Sequence, residues 1–245
     1  MIKGRYTPWD ERALMVSTFE IQDIDYSSER ECLHSLSNND FCNAELIYGR
    51  FPAKNLKIKE LMLKSGYFVS ETSFIVTLNN LKSFNLPSIY SRRKIDVSIL
   101  NTSEYHEVAE ISKDMFNHSR FHEDPFIPKN HANDRMSLWV KDLANQNVTC
   151  LVNKSTPGAI ISFMIFKVVG SNAVELILGG SKKGHELHSP FFWGSVINYL
   201  KESNYSKVST TISAANSGVL SLYQSLGFKI TEVNIDYHKH VKPVT

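Results

Sequence analysis

The chain has 245 residues, enough for one large domain or two small ones with a proper core. Apolar residues make up 42% and charged residues 21%, as in an ordinary globular protein and unlike a disordered or fibrous one. Its 27 Lys and Arg against 25 Asp and Glu leave a formal charge of +2 with no long basic block, so no nucleic-acid footprint is indicated.

Taken in chain order, the pattern predicts a strand over 16–26, a helix over 28–36 and a strand over 44–51. A helix over 56–64 and a strand over 67–78 follow. Residues 80–93 are polar, contain Pro87 and the cluster Arg92-Arg93-Lys94, and read as a linker. A strand over 95–100 opens the second half. After Ser103 comes a helix with Val108, Ile111, Met115 and Phe116 on one face. An irregular stretch, 117–130, leads into a helix over 133–143. Strands over 148–153, 159–168 and 173–178 come next, then a helix over 190–202, a strand over 207–212, a short helix carrying Tyr223 and a last strand. Such alternation predicts an α/β (α+β) fold with a mixed, mostly antiparallel central sheet flanked by helices. The expected division is 1–79, linker 80–93 and 94–245.

The two halves echo each other. Asn55 is followed eleven residues later by Gly66-Tyr67, and Asn216 eleven later by Gly227-Phe228. Both read as strand, Asn, helix, Gly-aromatic, strand, so the first half looks like a truncated copy of the second. Met62 stands where Tyr223 stands, and Met donates no proton. One active site, in the second half, is therefore expected.

Cys32, Cys42 and Cys150 share no metal or CxxC spacing, which fits a reducing, cytoplasmic compartment. The opening residues lack a secretory leader's apolar core, and no run approaches the roughly 20 apolar residues that cross a bilayer. His238 and His240 have no Cys partner and no HExxH pattern. They read as surface or strand residues, and no metal site is expected. The strand-rich tail 230–240 offers an edge that a homodimer would pair across.

The run Ile212-Ser-Ala-Ala-Asn216-Ser-Gly-Val219-Leu-Ser-Leu222-Tyr223-Gln-Ser-Leu-Gly227-Phe228 is the most informative stretch. Asn216 suits a helix N-cap and Gly227 a left-handed C-terminal residue. The spacing of Asn216, Val219, Leu222, Tyr223, Gly227 and Phe228 resembles the second half of the signature of the GNAT acyl-CoA N-acetyltransferases. That resemblance implies acetyl-CoA as cofactor and Tyr223 as the acid that protonates the departing thiolate. A phenol, with an ordinary pKa of about 10, is protonated at neutral pH. Cofactor contacts are then expected from Asn216, Leu222 and Tyr223, and from backbone N–H groups near Leu178, Gly179 and Gly180. The phosphate loop should fall on Gly184, His185, Glu186, Leu187, His188 and Ser189, with Ser189 as N-cap and Pro190 as first helical residue. The family's glycines are replaced there by Leu187 and Ser189, and its basic position by Gly184. Glu175 is a candidate base and equally an outward-facing strand residue; His122 is another candidate.

The stretch 116–128 packs aromatic, basic and acidic residues into a few positions, and Pro125 and Pro128 fix an extended path. It resembles the Ser-Arg-Phe segment of family members that acetylate nucleotide-linked amino sugars. Ser119, Arg120, Phe121, His122 and Asp124 are then expected to hold such a substrate, with Arg120 on phosphate. A proline-braced connector whose aromatics plug the core remains the alternative. Other acceptors (a small amine, a protein N-terminus) and a non-catalytic domain that binds coenzyme A or nucleotide also remain open.

Overall fold

Ten strands and eight helices carry the chain in the computed structural model, which describes residues 1–156 and 158–241. The last four residues assigned to the second half, 242–245, lie outside these. In order come β1 (Ile2–Tyr6), α1 (Pro8–Leu14), β2 (Thr18–Ile24), α2 (Glu29–Asn38), β3 (Leu46–Pro52), α3 (Leu56–Lys64) and β4 (Phe68–Leu78). After α4 (Ser88–Ser91) follow β5 (Ser98–Ile99), α5 (Tyr105–Met115), α6 (Lys129–Leu143), β6 (Thr149–Lys154), β7 (Ile160–Val169) and β8 (Ala173–Ser181). The chain closes with α7 (Ser189–Glu202), β9 (Lys207–Ser213), α8 (Ser217–Ser225) and β10 (Lys229–His240). Among the described residues no helix is long and apolar enough to cross a membrane.

All ten strands form one sheet in the order β1-β2-β3-β10-β4-β9-β8-β7-β6-β5, antiparallel except at β2/β3 and β8/β9. Each half gives its last strand to the other. β10 lies between β3 and β4, while β4 lies between β10 and β9. Both edges of β10 are thus hydrogen-bonded inside the sheet, which corrects the expectation that this tail offers an edge to a second copy.

Alternation along the strands explains the layers. Val174, Leu176, Val208 and Ile212 face α7 and α8, while Cys150, Val152, Ile165 and Leu178 face α5 and α6. In the first half, Ile21, Ile47, Phe51 and Tyr237 pack with Leu36 of α2 and Ile58, Leu61 and Met62 of α3. The presumed linker also joins the core. Leu81 and Tyr90 are buried against α7, and the Tyr90 hydroxyl meets Ser225 Oγ at 2.5 Å. The strand expected over 95–100 shrinks to Ser98–Ile99, and β1 and α1 were not foreseen.

The echo is geometrically real. Asn55 Oδ1 accepts the Ile58 N–H at 3.1 Å, and Asn216 Oδ1 accepts the Val219 N–H at 3.2 Å. Gly66 (φ +82°) and Gly227 (φ +92°) both adopt the left-handed turn that ends such helices.

Candidate functional site

The parallel strands β8 and β9 are paired only from Ala173/Lys207 to Leu176/Thr210. The register between β7 and β8 slips there: Ile165 faces Leu178 and Phe166 faces Leu176, so Ile177 is an extra residue. A bulge of this kind bends its strand and turns it from its neighbour. Residues 177–181 and 211–213 therefore diverge as a wedge. A cleft of about 1380 Å³ opens through it, lined from one sheet face by Trp193, Leu222 and Tyr223 and from the other by Met115, Phe116 and Trp139.

Leu178, Gly179 and Gly180 line that cleft. A Cβ on Gly180 would lie 1.8 Å from the Met115 terminal methyl, the flexible end of that side chain, which would have to swing aside. Asn216 and Leu222 also border the space. Tyr223 does so too, yet it is only 4% exposed, and its ring packs edge-on against Phe228 at 4.9 Å. Burial pushes the Tyr223 phenol well above its ordinary value, against the lowering effect of Trp193 and Thr210 beside it. The hydroxyl is therefore fully protonated at neutral pH. The Trp193 indole N–H lies close enough to influence Tyr223 but makes no hydrogen bond of full geometry, leaving a buried donor at the wedge. Nothing in the apolar pattern around Trp193 announced it as a cleft residue.

The segment 184–189 is built differently from the reading. Ser189 is not an N-cap: it is already helical, and its hydroxyl meets Ser181 Oγ at 2.7 Å. A 3₁₀ turn, Glu186–His188, runs straight into α7. The Gly184 N–H is taken at 2.9 Å by the Glu186 carboxylate, which is held below its usual range by that bond and by its own backbone N–H. Glu186 and Ser189 line the cleft with Lys182 and Lys183, whereas Gly184, His185, Leu187 and His188 are not among its lining residues. Leu187 is 88% exposed, and His188 Nδ1 lies 3.5 Å from the Arg93 guanidinium. Glu175 borders the cleft but is ion-paired with Lys167 at 2.9 Å across the β7/β8 ladder.

The loop 117–128 borders the cleft with residues 117–121 and is braced against the core beyond them. Phe121 is buried among Leu46, Tyr48 and Ile127. Asp124 Oδ2 accepts from His238 Nδ1 at 2.6 Å and from His240 Nε2 at 2.7 Å. Burial works to raise the Asp124 carboxyl, but the two imidazole bonds outweigh it and hold the group well below its usual range. His238 is fully buried, and burial lowers its pKa against the pull of Asp124. So His238 and His240, read as surface or strand residues, lie in β10 and tie the loop to it. The trio has residue types that bind metals, but its imidazoles already bond the carboxylate directly. His122 is hydrogen-bonded to Ser119 Oγ at 2.7 Å and Asn133 Oδ1 at 3.0 Å, and burial lowers its pKa. Arg120 lies 3.6 Å from both Glu20 and Asp236, with its guanidinium over the rings of Tyr48 and Phe121. Of the five residues expected to meet a substrate, Ser119, Arg120 and Phe121 line the cleft, whereas His122 and Asp124 are not among its lining residues. Asp124 and His122 are internal supports, Phe121 is a core residue that also borders the cleft, and Arg120 is paired with two carboxylates.

What the sequence did not reveal is the polar pit at the far end of the cleft. Cross-strand register lines up Arg50, Asp236 and Glu71 on β3, β10 and β4, and Asn234, Ser73 and Ser213 one row on. Arg50 donates to Asp236 at 2.7 Å and to Glu71 at 2.9 Å. Ser213 Oγ donates to Glu123 of the connector. Arg50, Glu71, Arg120 and Arg135 all line the cleft. Burial, and then the neighbouring Asp236, push the Glu71 carboxyl up to about 7 against the opposing pull of Arg50.

No family profile matches the sequence, and no curated protein matches it. Solved structures do. A GCN5-related N-acetyltransferase from Sphaerobacter thermophilus superposes with a TM-score of 0.66 at 10% identity, over 99% of this chain and 77% of that one. A tandem GNAT protein from the clavulanic acid biosynthesis pathway gives 0.58 at 11% identity, over 94% and 79%. The glucosamine N-acetyltransferase region of a fungal multi-domain beta-N-acetylglucosaminidase gives 0.67 at 12% identity, over 97% of this chain and 31% of that one. At such identities the likeness establishes the fold, which is that of the GCN5-related N-acetyltransferases.

Proposed function

We propose that this chain transfers an acetyl group from acetyl-CoA to an amine in the cleft between β8 and β9. The observation that carries the reading is the wedge itself. A bulge at Ile177 parts two parallel strands and opens one strand edge onto a cleft bordered by a protonated, buried phenol.

The residues fit the cofactor. An open strand edge at 177–181 offers backbone groups to the amide-bearing arm of coenzyme A, and the unpartnered Trp193 indole N–H is a buried donor in want of an acceptor. Lys182 and Lys183, before the start of α7, would hold its phosphates, and Asn216 and Leu222 would flank the arm. Acetyl-CoA, when bound, supplies the acetyl group as an activated thioester. Tyr223 holds a proton at its hydroxyl for the sulfur that leaves. The apolar walls of Met115, Leu178 and Leu222 keep water from the reacting carbon.

A nucleotide-linked 4-amino-4,6-dideoxy sugar is the second reading of the acceptor. Its remaining support is that Phe116 and Trp139 line the cleft as surfaces on which a sugar or base stacks. Its weakness is that Arg120, the phosphate contact it required, is already paired. Calorimetric titration with acetyl-CoA tests the cofactor, and mass measurement of products from a panel of amines separates the acceptors. No heat of binding at millimolar acetyl-CoA would end the enzyme reading.

A further inference from the structure

The polar pit has a charge imbalance that the cofactor does not explain. Its carboxylates are Asp10, Glu20, Glu71, Glu123 and Asp236. Its guanidiniums are Arg5 and Arg120 on Glu20, Arg50 between Glu71 and Asp236, Arg120 again on Asp236, and Arg135 on Asp10. Fully ionised, five negative groups face four positive ones. His118, 3.9 Å from Glu123, is partly exposed, and His238, two residues from Asp236 on β10, is buried and bonded to Asp124. Within the pit, Asp236 Oδ1 and Ser73 Oγ are buried without a hydrogen-bond partner. Such groups are costly to leave unpaired. One added positive charge that donates hydrogen bonds would balance the ions and supply the missing donors. The pit is reached from the same cleft as Tyr223, through Glu71, Arg50 and Arg120.

We propose that this pit receives a primary ammonium group and that Glu71, a residue of the first half of the chain, takes its proton. The inference rests on the acyl-transfer reading. The ammonium gives one proton to the Glu71 carboxylate, so the local charge is unchanged and the nitrogen becomes a neutral nucleophile. The amide C–N bond then forms as the thioester C–S bond breaks. The nitrogen loses its second proton to solvent, and the sulfur receives one from Tyr223, which is re-protonated in turn. The products are an N-acetyl amide, a free thiol, and one proton that Glu71 returns to water. The raised pKa of Glu71, set by burial and Asp236 against Arg50, with Glu123 and Arg120 as smaller opposing influences, suits a base working near neutrality.

The test uses the full-length protein with three probe sets: alkylammonium compounds, amino sugars and peptide N-termini. Thiol release is followed across pH, and acetyl-CoA affinity is measured separately by calorimetry. For whichever probe is acetylated, Glu71→Gln should lower kcat/KM by about 10²–10⁴-fold. It should also remove the acidic limb that the unmodified protein shows on rising through about pH 7. Acetyl-CoA affinity should stay within twofold, and Glu71→Asp should restore part of the rate with a shifted limb. Intact acetyl-CoA binding with unchanged turnover and pH profile in Glu71→Gln overturns this proposal alone. So does a protein that binds acetyl-CoA but neither binds nor acetylates any probe. Failure to bind acetyl-CoA overturns the acyl-transfer reading as well.

Discussion

The α3 and α8 regions are built to one plan and end in different places. Each has an Asn cap, a nine-residue helix and a left-handed glycine. In each, the aromatic after the glycine donates its N–H at 3.0 Å to the residue in the middle of the helix, Tyr67 to Met62 and Phe228 to Tyr223. The likeness extends further. β2 and β3 are parallel and pair only as far as Ile21/Gly49, with an extra residue, Gln22, against β1, just as Ile177 is extra in β8. Yet the first wedge is packed shut by Ile24, Phe51, Ile58 and Met62, whereas the second stays open beside Tyr223. The same backbone device makes a core in one half and a cleft in the other, and side-chain size and polarity decide which.

The largest effect is expected from separating the halves. Residues 1–93 and 94–245, expressed alone, should each fail to unfold cooperatively in urea, because each lacks the strand that fills its sheet. A cooperative transition in either would mean that the strand exchange is dispensable. Next in size is chemistry. Tyr223→Phe should cut kcat by about 10²-fold or more with little change in acetyl-CoA affinity, whereas Met62→Leu, a near volume-conserving change, should cost under about 1.5 kcal/mol and leave turnover alone. Equal losses of turnover in both would erase the contrast between the helices. The caps should behave alike: Asn55→Ala and Asn216→Ala should each cost about 1 kcal/mol in urea denaturation.

A pH-dependent contrast follows from Glu71. Its folded pKa of about 7 lies above the ordinary carboxylate value of 4.5, so the folded state binds more protons than the unfolded one between those values. Stability from this group is full below pH 4.5 and is lost as pH rises through 7. Glu71→Gln should therefore match the unmodified protein in Tm at pH 5 and exceed it at pH 8. A Tm difference that does not vary with pH would mean Glu71 is ionised throughout. The smallest expected effect is at Glu186, where Glu186→Gln should tighten acetyl-CoA a few-fold by withdrawing a negative charge from the cleft wall it shares with Lys182 and Lys183.

Local signals were legible. The α3 helix matches its sequence reading at both ends, because an Asn cap and a C-terminal glycine are local chemistry. The wedge strands and α8 were legible for the same reason. The strand exchange was not, since β10 meets β3 across a separation of 186 residues at Arg50 and Asp236, and nothing local encodes that partner. The role of Asp124 was not legible, because an acidic residue in a loop looks the same in sequence whether it faces a ligand or ties the loop to buried imidazoles. Glu71 and Asp236 were missed because alternating polar positions in a strand ordinarily face water; here they face a covered pit.

Hydrogen exchange with and without acetyl-CoA compares the two wedges in one experiment. The account predicts slowed exchange at 177–181 and at the starts of α7 and α8, with no change at 22–24 or in α3. Protection in the first half alone, or nowhere, would contradict it.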